Sequence, residues 1–137
     1  GYAIAAPDLI TAFHKVRNHF GLNRAAQAGA LAAVQDQDYL KQVQTQIAEA
    51  RRRIAQIAEE NGLTTLPSAA NFVAIDCGGD GAFAKAVLDA LVARGIFVRM
   101  PFAAPQNRCI RVSAAPAETL EFFARALPKA LAEAREG

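Results

Sequence analysis

Two arginines, Arg99 and Arg111, stand inside short β-prone runs, Val98-Arg99-Met100-Pro101 and Arg108-Cys109-Ile110-Arg111-Val112-Ser113. A strand normally carries an apolar or a paired residue at such places. A guanidinium presents its donors in a planar fork and keeps its charge at any physiological pH, which suits a bidentate grip on a carboxylate or phosphate. The chemistry on offer is anion binding; acid–base and covalent steps are closed to a group that holds its proton so tightly. The competing reading is structural. Each arginine would then lie on the wet face of an amphipathic strand, or pair with a carboxylate such as Glu118 or Glu121.

The other reactive side chains form no catalytic constellation. His14 and His19 are five positions apart on one expected helix, so they share no face and cannot make an i, i+4 metal clamp; no metal ligand set is expected. Cys77 and Cys109 lie in apolar strand-like runs, which marks them as reduced core residues and points to a cytoplasmic protein. No serine occupies a strand-turn-helix elbow. Gly78-Gly79-Asp80-Gly81 precedes a helix, but Asp80 stands at the N-cap, where its carboxylate takes the amides that a phosphate would need; a capped turn is expected. Arg51-Arg52-Arg53 has Glu49, Glu59 and Glu60 nearby and no interleaved aromatics, so it reads as a solvated helix face.

Regular elements must position the arginines. Pro7 opens a helix whose apolar residues Leu9, Ile10, Phe13, Val16 and Phe20 recur at helical spacing up to Gly21. Asn23 can cap a second helix over 24–34, so rich in alanine and glycine that close packing is expected of it. Asp36 or Asp38 can cap a third, with Leu40, Val43, Ile47, Ala50, Ile54 and Ile57 in one stripe ending at Asn61-Gly62. The pattern then turns β-prone at 63–66 and 71–76. A helix through Phe83, Val87, Leu88, Leu91 and Val92 stops at Gly95, strands follow at 96–99 and 109–112, and a last helix starts near Ala117, where Pro128 should kink or interrupt it. This order predicts an α+β fold, a mostly antiparallel sheet covered on one face by helices. With 137 residues, 53% of them hydrophobic, one sizeable core is expected. A net charge of +2 from interspersed groups favours neither nucleic acid nor an anionic membrane, and no run is long and apolar enough for a membrane span.

Collinear motifs over essentially the whole chain carry a resemblance. Gly1-Tyr2-Ala3-Ile4-Ala5, Pro7-Asp8-Leu9-Ile10 and the alanine-rich stretch from Asn23 to Ala33 resemble the segment after the cofactor lysine in class I/II pyridoxal-phosphate aminotransferases. Ser68-Ala69-Ala70-Asn71-Phe72-Val73, Arg94-Gly95-Ile96-Phe97-Val98-Arg99 and Cys109-Ile110-Arg111-Val112-Ser113 are similar to small-domain motifs of that family, closest to the histidinol-phosphate aminotransferases. The resemblance implies the C-terminal part of a fold type I enzyme, with 1–37 ending the large domain and 38–137 forming the small domain.

On the same resemblance Arg111 and Arg99 bind the substrate's anionic group, Asn23 approaches the active-site cleft, and Asn71 orders a strand entry. It further implies pyridoxal 5'-phosphate as cofactor, an amino acid and a 2-oxo acid or phosphorylated ketone as substrates, and a homodimer. One departure is Ser113-Ala114-Ala115-Pro116, where histidinol-phosphate enzymes carry a threonine-rich, glycine-containing turn. Another is that Lys15, Lys41, Lys85 and Lys129 all fall on expected amphipathic helices, none in the family's lysine motif. The Schiff-base lysine, the phosphate anchor and the upstream large domain are therefore expected outside these residues, and the chain alone is expected to be inactive. A decarboxylase of the same fold and a non-catalytic anion-binding or interaction module are the alternatives.

Overall fold

The computed structural model describes residues 4–18 and 20–136. Two compact units emerge, Gly1–Leu40 and Lys41–Gly137. His19, whose relation to His14 was part of the metal argument, lies outside the described residues, as do Gly1, Tyr2 and Ala3.

In the first unit, helix α1 (Pro7–His14) has proline in its first turn as expected. It ends well before Gly21. Val16, Phe13 and Leu9 stay exposed, and no residue of α1 is buried. A helix this short, without packing for its apolar stripe, has little beyond local propensity to extend it. The Phe13 carbonyl accepts from the amides of Val16 and Arg17, closing the last turn. Helix α2 (Arg24–Gln35) is capped by Asn23, whose side-chain oxygen accepts from the Ala26 amide at 2.8 Å. The close packing expected of its small residues is not seen: α2 buries no residue, and a Cβ on Gly29 would meet nothing within 4 Å. The Asp36 carboxylate accepts from the Tyr39 amide at 3.0 Å and starts helix α3 (Gln37–Glu60).

In the second unit α3 buries Ala50, Ile54, Ile57 and Ala58. Gly62, at φ 70°, closes the helix as the Leu63 amide donates back to the Ala58 carbonyl. Strands β1 (Thr64–Thr65), β2 (Phe72–Asp76) and β3 (Cys109–Ser113) form an antiparallel sheet in the order β1-β2-β3. The fold is α+β, with helices on one sheet face. Val73, Ile75, Ile110 and Val112 point to that face and pack with α4 (Gly81–Ala93) and α5 (Ala117–Glu136), where Val87, Leu91, Phe123 and Leu127 complete the core. Asp80 caps α4 through the Phe83 amide at 2.9 Å, the capped turn its position implied. Gly79 is required there, since a Cβ would lie 2.8 Å from the Phe83 ring.

Two further expectations need correction. Residues 96–99 do not form a strand; Arg99 alone bridges to Arg111. The Ile96 amide is used by the C-terminal closure of α4, donating to the Leu91 carbonyl, and Pro101 has no amide to donate. Nor does Pro128 interrupt α5, which runs through it. One missing N–H is tolerated because Pro128 itself faces solvent while Leu127, Ala130 and Leu131 beside it are anchored in the core.

Candidate functional site

Strand alternation separates β3 into two faces. Ile110 and Val112 enter the core; Cys109, Arg111 and Ser113 take the opposite side, in register with Asp76, Ala74 and Phe72 of β2. Arg111 is thus the middle residue of β3. On its other flank it exchanges both backbone hydrogen bonds with Arg99, at 3.2 and 2.6 Å. Residues paired in this way project from the same face of a sheet. The structure therefore brings Arg99 and Arg111 together as direct cross-strand neighbours, Arg99 exposed and Arg111 half-buried.

Among the described residues neither is neutralised. Glu121 is taken by Arg53 at 2.8 Å, Arg108 pairs with Asp76 at 3.0 Å, and Arg94 pairs with Glu133 at 2.6 Å. Among the described residues no carboxylate pairs with Arg99 or Arg111, Glu118 included. The guanidinium carbon of Arg111 lies 3.9 Å from the centroid of the Phe72 ring, and its Nε is buried with no partner among the described residues. An unpartnered buried donor costs about 1–3 kcal/mol. Like charges directly opposite on a sheet add to that cost.

Asn23 belongs to the first unit, and its side-chain oxygen is occupied by the Ala26 amide. Asn71 acts through its backbone: its carbonyl accepts from the Ala114 amide at 2.8 Å and extends the β2–β3 ladder, the ordering role expected of it. Phe72 was legible as part of a motif, but not as the residue under Arg111. Period-two alternation could have put it on the same face as Ala74, yet only the β2–β3 register makes it diagonal to Arg111.

Burial pushes the Cys77 thiol up to about 11, with the nearby Cys109 and Asp76 adding to it; Cys109 is raised as well, again mainly by burial. Both cysteines are free and buried, so at neutral pH they are inert thiols. Among the described residues no His, Cys, Asp or Glu cluster could hold a metal ion, and no helix is long and apolar enough to cross a membrane. Lys15, Lys41, Lys85 and Lys129 are all exposed, on or directly after helices, and Lys85 is paired with Asp89 at 2.6 Å. None has the desolvated setting that activates an amine as a nucleophile. A cofactor bound through a lysine does not fit these residues.

Comparison with known proteins follows the same lines. The family described as Aminotransferase class I and II matches residues 1–127. A histidinol-phosphate aminotransferase of Geobacillus sp. (strain WCH70) is 34% identical over 133 residues, which is 97% of this chain and 36% of that protein. The crystal structure of histidinol-phosphate aminotransferase from Sinorhizobium meliloti in complex with pyridoxal-5'-phosphate superposes with a TM-score of 0.88 at 52% identity, covering 92% of this chain and 34% of that one. A putative aminotransferase from Burkholderia pseudomallei gives 0.65 at 26% identity, over 89% of this chain and 37% of its own. The chain thus spans well under half the length of the proteins it matches.

Proposed function

The chain belongs to the class I and II aminotransferase family, and from that premise we propose that it is the C-terminal portion of a pyridoxal-phosphate-dependent aminotransferase of the histidinol-phosphate type. In this reading residues 1–37 end the large domain and 38–137 make the small domain. The full-length enzyme moves an amino group between an amino acid and a 2-oxo acid or phosphorylated ketone, as a cytoplasmic homodimer. The observation that carries the reading is the pair of unneutralised arginines in cross-strand register on one face of the sheet. Arg111 and Arg99 hold the substrate's anionic group and so fix the orientation of the rest of the molecule; Asn23 is assigned to substrate binding on the resemblance alone.

Pyridoxal phosphate supplies the electron sink for such transfers. Its covalent lysine and its phosphate anchor belong to the part of the enzyme outside these residues, and the chain alone is inactive. Incubated with pyridoxal phosphate and reduced with borohydride, the isolated 137-residue chain should carry no label at a single lysine and turn over no amino acid. Stoichiometric labelling together with turnover would refute the fragment reading. In the full-length enzyme, Arg111→Ala removes at least one charge-assisted hydrogen bond of about 1.5–3 kcal/mol, a rise in KM of about ten- to 150-fold. Unchanged KM and kcat would end the assignment of Arg111.

A further inference from the structure

We infer that Phe72 is a positioning residue for the anion site, a platform that holds the Arg111 guanidinium in one orientation and sets the affinity for the anion. The inference rests on the reading of Arg111 as an anion-binding residue. Phe72 sits two positions from Ala74, the residue opposite Arg111, so its ring lies diagonally across the β2–β3 ladder on the same face. Side chains in that relation are within reach when one is aromatic and the other long. The guanidinium carbon is 3.9 Å from the ring centroid, close enough for a stacked cation–π contact.

The surroundings of Arg111 offer it no other attraction among the described residues. No carboxylate pairs with it, Ala74 opposite it is too small to grip it, and Arg99 on the far side repels it. Arg99 and Phe72 flank it on opposite sides, one pushing and the other attracting. A long arginine left to itself samples many rotamers, and each costs entropy to freeze when an anion arrives. Stacking on the ring fixes the plane of the fork beforehand. It also covers one guanidinium face while the nitrogen edge stays directed in plane, where a two-oxygen anion is gripped. A leucine at the same place fills much of the volume but has no π face. A tyrosine keeps the face.

The test uses the full-length holoenzyme and its Phe72→Leu, Phe72→Tyr, Arg111→Gln and Phe72→Leu/Arg111→Gln variants. KM and kcat for histidinol phosphate and the inhibition constant of inorganic phosphate are measured. Phe72→Leu should raise both KM and the phosphate inhibition constant about two- to thirtyfold, the span of a cation–π contact, with kcat little changed. Phe72→Tyr should restore both to within about twofold of the parent. In the Arg111→Gln background Phe72→Leu should add nothing. The inference is overturned if Phe72→Leu leaves both constants unchanged, if Tyr fails to rescue, or if the effect persists without Arg111. Should Arg111→Gln itself leave KM and phosphate inhibition untouched, the anion-site reading falls, and the inference with it.

Discussion

Replacing Arg99 by glutamine should tighten the sheet while weakening the site. Arg99 and Arg111 exchange both backbone hydrogen bonds, so their side chains stand directly opposite with like charge and no carboxylate between them among the described residues. Such a pair destabilises a sheet by roughly 0.2–1 kcal/mol relative to a neutral one. Arg99→Gln keeps the backbone bridge and removes the repulsion. Read by hydrogen exchange on the full-length enzyme, that gain is about a 1.4- to 5-fold rise in protection of the Arg111 amide, which donates to the Arg99 carbonyl. The measurement belongs in low-salt, phosphate-free buffer, because at 1 M salt the screening length of about 3 Å is shorter than the separation of two cross-strand side chains, and the difference should then vanish. Inorganic phosphate should raise protection in the parent by bridging the two cations, and raise it less in Arg99→Gln. A loss of protection in the variant at low salt, or a gain that 1 M salt leaves intact, would refute the idea that charge opposes this pairing.

Two further outcomes test the framework around the site. Leu127 of α5 is fully buried in the core, so Leu127→Ala should cost about 2–5 kcal/mol, read as a lowered denaturation midpoint, with little change in the KM of the molecules that still fold. The Cys77 thiol, raised to about 11 from an ordinary value near 8.5, keeps its proton in the folded state while the unfolded chain loses it. Stability from this group is therefore complete below about pH 8.5 and declines as the pH rises toward about 11, Cys109 acting in the same direction. Urea midpoints across that range should fall, and Cys77→Ala should flatten the slope; equal slopes in both proteins would count against it.

Local signals carried far where each was decided by its neighbours in the chain. Asp80 and Asn23 cap the helices they precede, because a short polar side chain reaches amides only three residues on. Gly62 and Gly95 end helices at positive φ, which needs no tertiary partner. The β-prone runs at 71–76 and 109–112 did become strands β2 and β3. The same kind of reasoning overran beyond His14, where α1 ends, and at 96–99, where β-prone residues lost their ladder donors to a helix closure and a proline.

By itself the sequence determined that Arg111 sits in a strand, that both cysteines are buried and that the fold is α+β. Periodicity assigns a side chain to a face, but it carries no information about which residue of another strand stands opposite. Register comes from contacts between positions distant in the chain, and it placed Arg99 against Arg111 and Phe72 beneath the guanidinium; the meeting of α3 and α5, equally absent from periodicity, put Glu121 with Arg53. In the sequence the two arginines are separate residues; tertiary pairing made them neighbours.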